Sequence, residues 1–211
     1  GSNRSGATVT VDVPTSFGYT ATSTSRITYN WTNPTFSDRT YLYTYDNLYQ
    51  ITNPDYVTGT TRLIGDDDEA DGNPVYLSQN ISYSLKTRNY YSGHYSSYSS
   101  TFTGYTLPGN PTSLSTTADD DTKITVTWTG PAGSGLTETF YVEWGETTSY
   151  STGNYTTSAN ATSYQITGLD RSTNYDIRVK TITAAGTTSG ATTDRTTASG
   201  PDPELGDTLE M

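Results

Sequence analysis

The chain has no cysteine, which removes disulfides, thiolate nucleophiles and Cys-based zinc sites together. Its one histidine, His94, cannot build a His-rich metal centre, and no nucleophile and orienting group stand beside it in a known motif. Lysine occurs only at Lys86, Lys123 and Lys180, and Lys plus Arg number 11 against 22 Asp plus Glu. With a net charge of −11 and dispersed basic residues, the chain would be repelled by a nucleic-acid backbone and by anionic lipid. No apolar run approaches the roughly 20 residues of a membrane-spanning helix, so no membrane insertion is expected. The opening Gly1-Ser2-Asn3-Arg4-Ser5-Gly6 is polar. It reads as a start from which a signal has been removed, or as a Gly1-Ser2 cloning remnant.

What the chain does have is hydroxyl and tyrosine. Ser and Thr make up about a third of the 211 residues, and there are 19 Tyr against 4 Phe. So many aromatic and β-branched residues argue against disorder. An acidic, Lys-poor, Thr/Ser/Tyr-rich surface points to an extracellular or cell-surface protein. Helical periodicity is lacking, and apolar residues alternate with polar ones in short runs separated by Gly, Pro, Asn and Asp. That is the all-β pattern.

In the second half Ile124, Val126 and Trp128 share one face of a strand, and Phe140, Val142 and Trp144 share a face of the next. Tyr164 and Ile166 follow, then Tyr175, Ile177 and Val179. The first half repeats the order: Ile27, Tyr29 and Trp31 match the first set, and Tyr41, Tyr43 and Tyr45 the second. Leu77 precedes Tyr83 by the interval that separates Leu169 from Tyr175. A doubled order of this kind indicates two tandem immunoglobulin-like β-sandwiches. The boundary falls in Leu107-Pro108-Gly109-Asn110-Pro111, giving domains at 1–107 and 108–199 and a polar tail at 200–211.

The second half resembles a fibronectin type III domain. The resemblance rests on Pro111 and Leu114, Ile124 to Trp128 as strand B, and Phe140 to Gly145 as strand C. Tyr164 to Leu169 match strand E and its exit, and Thr173 and Tyr175 match the corner motif, with Arg171 where that motif has proline. Residues 8–107 are similar but divergent, keeping the strand B Trp and the corner Tyr. A long insertion between strands C and E is expected there, over about residues 46–74. The segment from Ala7 to Val13 alternates well enough to add as a strand to a neighbour's exposed sheet edge, although strand A of its own domain is the favoured reading.

Four candidate sites follow. Asp67, Glu69 and Asp71, with Gly72, partly follow the start of a calcium loop, although Ser78 occupies the place of the closing Glu. The alternative is a solvated acidic loop, and no other cofactor is implied. Asp119-Asp120-Asp121 reads as turn chemistry. Tyr90, Tyr91, His94, Tyr95 and Tyr98 form a Tyr/Ser/Gly-rich stretch of the type that binding loops favour, suited to another subunit or to sugar rings. Alternatively these tyrosines cover their own sheets. Sequons at Asn3, Asn30, Asn80, Asn154 and Asn160 are possible glycosylation sites, in a number close to chance for this composition.

No residue set implies catalysis. The favoured reading is a non-enzymatic structural or adhesive module that self-associates or meets other surface proteins, as in a surface filament. The alternative is an accessory spacer or carbohydrate-binding module of a secreted enzyme. A hydrolase working through paired carboxylates is disfavoured, because no motif places such a pair.

Overall fold

The computed structural model describes residues 9–45, 55–65, 77–133 and 135–200. All regular structure among them is β-strand, and the chain divides into two units between Leu107 and Pro108.

In the first unit one antiparallel sheet has the order β1 (Thr15–Ser23), β2 (Arg26–Thr32), β5 (Thr61–Gly65). The other contains β3 (Arg39–Tyr45), β4 (Asp55–Val57), β6 (Ser82–Tyr91), β7 (His94–Tyr95) and β8 (Phe102–Tyr105). Its order is β4-β3-β6-β7, and β8 also pairs with β6. In the second unit β9 (Thr112–Ala118), β10 (Lys123–Thr129) and β13 (Ser163–Thr167) form one sheet, with β10 central. The other sheet runs β12 (Gly153–Thr156), β11 (Thr139–Gly145), β14 (Asn174–Thr183), β15 (Gly186–Thr187), with β16 (Ala191–Thr196) also on β14.

Period-two burial builds each core. Ile27, Tyr29 and Trp31 of β2 pack with Leu42, Ile64, Leu77, Tyr83 and Leu85. Ile124, Val126 and Trp128 of β10 pack with Phe140, Val142, Ile166, Leu169, Tyr175, Ile177 and Val179. The two units also share backbone detail. Ser16 and Ser113 have left-handed φ of 54° and 52°, each fifteen residues before the buried Trp31 or Trp128, at a register shift in β1 or β9. Asn80 and Ser172 have φ of 48° and 52°, each three residues after the buried Leu77 or Leu169. Around that turn the Tyr83 hydroxyl accepts the Ser78 N–H at 2.7 Å, and the Tyr175 hydroxyl accepts the Asp170 N–H at 3.0 Å. This is the tyrosine corner of β-sandwiches, in which a buried ring keeps its polar tip satisfied.

Some of the abundant hydroxyls have a definite structural use. Six Ser or Thr residues continue a strand pairing where the regular ladder stops. In each, the backbone N–H donates to a carbonyl on the neighbouring strand, and the side-chain oxygen accepts the N–H of that same neighbour. Ser99 does this with Thr87, Ser96 with Asn89, Thr106 with Ile81, Thr157 with Phe140, Thr188 with Thr181 and Thr197 with Thr173. Buried N–H groups that a bulging strand would orphan are thereby satisfied.

Three expectations change. The extra length of the first unit does not lie between strands C and E, because β4 and β5 fall inside residues 46–74 and β5 pairs with β2 as β13 pairs with β10. It lies after β5, in the connection from Gly65 to Ser82, whose counterpart runs only from Thr167 to Asn174. Secondly, Tyr41 does not share the core face. Thr40 and Leu42 are buried and Tyr41 faces the other way. Tyr29 and Trp31 occupy the space between the sheets, β3 meets them with the smaller Thr40 and Leu42, and this one-residue offset turns Tyr41 outward. Thirdly, residues 9–13 carry no strand, although Val11 is buried; the first strand starts at Thr15.

Candidate binding surface

The outward face of the β4-β3-β6-β7 sheet is built by alternate residues. On β6 these are Lys86, Arg88 and Tyr90, between buried Leu85, Thr87 and Asn89. Register sets Arg88 beside Tyr41, Tyr90 beside Arg39, Tyr41 beside Tyr56 and Tyr90 beside Tyr95. The rings meet at centroid distances of 4.9 Å (Tyr90–Tyr95), 5.4 Å (Tyr41–Tyr95) and 5.7 Å (Tyr41–Tyr56). Three cations lie over them. The Arg39 guanidinium is 4.6 Å from the Tyr90 ring and 5.0 Å from Tyr56. Arg88 is 3.9 Å from Tyr95 and 5.1 Å from Tyr98, and the Lys86 ammonium is 5.0 Å from Tyr98. Such contacts are worth about 0.5–1 kcal/mol each when exposed. Hydrogen bonding to Tyr95, then burial, raises the Tyr41 phenol pKa above its ordinary value while Arg39 acts in the opposite sense. Tyr56, Tyr95 and Tyr98 remain 51%, 47% and 42% exposed.

Ser96 and Ser99 hold the segment after β7 against β6, which leaves Tyr98 outward between them. The five residues singled out from the sequence therefore divide. Tyr90, Tyr95 and Tyr98 join this face. Tyr91 and His94 pair with each other on the opposite side of the hairpin, and Tyr91 packs at 5.3 Å against the exposed Phe36. The loop carrying Phe36 is fastened to β6 through Asn89, which accepts from the Ser37 hydroxyl and donates to the Phe36 carbonyl. Sequence reading missed Arg39, Tyr56, Lys86 and Arg88, and gave Tyr41 the wrong face. The signal was present as the alternation Lys86-x-Arg88-x-Tyr90.

The second unit carries the matching rungs with different chemistry. Tyr141 pairs with Lys180 and Glu143 with Arg178, where the first unit pairs Tyr41 with Arg88 and Tyr43 with Lys86. Glu143 accepts from Lys180 at 2.8 Å and from Arg178. Burial works to raise the Glu143 pKa, but hydrogen bonds from Arg178 and Lys180 prevail and hold it below the ordinary glutamate value. Arg178 also lies 4.3 Å from the Tyr150 ring.

Asp67, Glu69 and Asp71 lie outside the described residues. Ser78 is engaged in the tyrosine corner, and among the described residues no three acidic or His groups cluster as a metal site. Asp119, Asp120 and Asp121 take local partners: Asp119 accepts from Thr125 and Gln165, Asp120 from Thr122 and Lys123, and Asp121 pairs with Arg171. The Lys123 and Thr122 bonds lower the Asp120 pKa to about 2. Of the sequons, Asn80 is wholly buried with left-handed backbone, so a glycan there does not fit the folded unit. Asn154 and Asn160 are exposed, and Asn30 is half-buried. Asn3 lies outside the described residues.

No curated protein matches the chain. Among solved structures it is similar to a two-domain fibronectin type III segment of chicken tenascin, at 16% identity over 88% of this chain and 100% of that one, with a TM-score of 0.49. It is also similar to the FN1–FN3 domains of chicken CNTN1, at 16% identity over 90% of this chain and 68% of that one, with a TM-score of 0.47. The family model described as fibronectin type III domain matches residues 109–197. With the strand order and tyrosine corner above, the second unit is similar to fibronectin type III domains over residues 109–197.

Proposed function

We propose that the chain is a non-catalytic structural or adhesive module of an extracellular assembly, working through the tyrosine–cation face of its first unit. The observation that carries this reading is the face itself: rings that hold a polar tip in water and bury large area on contact, with cations already ordered over them. Such a surface suits docking, and its groups make no nucleophile–base pair. The experiment is to follow the mass of the full chain by sedimentation across concentration and to image native material. Tyr95→Ser with Tyr98→Ser should weaken association while the protein still folds by circular dichroism, with melting lowered by the lost ring and cation contacts. A chain that stays monomeric in its native setting, indifferent to both substitutions, would overturn the reading.

A further inference from the structure

We propose that the tyrosine–cation face of the first unit is the docking site for the acidic segment 201–211 of a second copy of the chain. The inference rests on the structural or adhesive reading above and names the partner of that face.

The charge distribution makes this face exceptional. In the second unit Lys123, Arg171, Arg178 and Lys180 each contact a carboxylate. In the first unit Arg39 and Lys86 lie over tyrosine rings instead, and among the described residues no carboxylate is in ion-pair range of either. The rung that holds Glu143 in the second unit holds Tyr43 in the first. The same scaffold therefore supplies its own anion in one repeat and presents cations on exposed aromatic rings in the other.

The occupant follows from chemistry within the chain. Two copies that each carry −11 repel one another unless the contact joins opposite signs locally. Residues 201–211, Pro-Asp-Pro-Glu-Leu-Gly-Asp-Thr-Leu-Glu-Met, hold Asp202, Glu204, Asp207 and Glu210 and no basic residue. Arg39 lies opposite Tyr90, four residues along β6 from Lys86, a separation of about 13 Å in extended chain, and the stretch from Asp202 to Asp207 is long enough to span it. Pro201, Pro203, Leu205 and Leu209 supply apolar surface for the tyrosine rings. A contact between a face on one copy and a segment on the next is head-to-tail, and it propagates without closing on itself unless the rotation makes a ring.

The test is a charge swap in the full chain, read by sedimentation. A face variant carries Arg39→Glu and Lys86→Glu; a tail variant carries Asp202→Lys and Asp207→Lys. Each alone should self-associate about tenfold more weakly than the parent, as loss of two charge-assisted contacts implies. A mixture of the two should recover association, because each restores the other's charge pairing. Circular dichroism and melting checks that both variants fold. If the tail variant associates like the parent while the face variant does not, segment 201–211 is not the occupant, although the assembly reading stands. A parent that never associates sinks that reading first. Retention of a polyuronate by the face, with no response to the swap, assigns the site to a glycan and overturns the proposal. A monomeric parent whose amides at 201–211 lose exchange protection on Arg39→Glu docks its own segment, and this too overturns the second-copy assignment.

Discussion

Ser99 stands in for a strand partner of Thr87: its N–H donates to the Thr87 carbonyl at 2.7 Å, and its hydroxyl accepts the Thr87 N–H at 3.0 Å. The hydroxyl then donates onward to the Ser100 carbonyl at 2.8 Å. One side chain so closes a ring that two backbones normally close, and it anchors the segment that presents Tyr98.

Ser99→Ala should therefore leave the buried Thr87 N–H without a partner and cost about 1–3 kcal/mol. Ser99→Thr keeps the oxygen and should cost less. Urea unfolding together with amide exchange at Thr87 measures both. An alanine variant with unchanged exchange at Thr87 would show that the hydroxyl is dispensable.

The two core tryptophans should respond differently to Phe. Trp31 Nε1 donates to Asn33 Oδ1 at 2.8 Å, whereas Trp128 Nε1 is buried with no hydrogen-bond partner among the described residues. Trp128→Phe loses packing only, and Trp31→Phe loses packing and a hydrogen bond. The second should cost about 1 kcal/mol more, read as the difference between the two unfolding free energies. Trp128→Ala, by contrast, should cost about 3–5 kcal/mol.

Removing the corner hydroxyls should destabilise both units alike. Tyr83→Phe and Tyr175→Phe each remove the acceptor of one backbone N–H, at about 1 kcal/mol apiece. Tyr83→Phe leaves in place the bond from the Tyr29 hydroxyl to the Tyr83 carbonyl, since that uses backbone. A unit that melts at the parent temperature after its substitution would refute the common role.

Acid should weaken the second unit. Glu143 and Asp120 both have folded pKa values below their ordinary ones. A depressed carboxylate adds stability that is fully present above its unfolded pKa and is lost as pH falls through the folded value. The window thus opens near pH 4 and extends to about 2, where Asp120 takes its proton. Glu143→Gln should flatten part of this slope. Melting curves between pH 7 and pH 2 decide the matter, and a slope identical in parent and variant would exclude Glu143 as its source.

The parts of the fold legible in sequence were those in which one residue type has one structural use. Trp31, Trp128, Tyr83 and Tyr175 each occupy a core position that few other residues fill, so their spacing revealed two sandwiches. Tyr41 was misplaced because tyrosine serves equally in a core and on a sheet face, and only the register against Arg88 distinguishes the two. The strand at Thr61–Gly65 went unseen because it is short, and Ile64 is its only apolar residue buried in the core. Arg39, Lys86 and Arg88 are far apart or unremarkable in sequence, and pairing alone makes them neighbours of the same rings.

The broken run between β7 and β8 also bears on how copies can join. A sheet that ends in a long regular strand offers an open template to any passing β-segment, with aggregation as the hazard. Here β4 spans three residues and β7 two, and from Ser96 to Ser99 the pairing to β6 passes through hydroxyls. Among the described residues, the tyrosine-bearing sheet is blunt at both β4 and β7. Recognition on this sheet consequently falls to side chains on its face, where charge can select the partner.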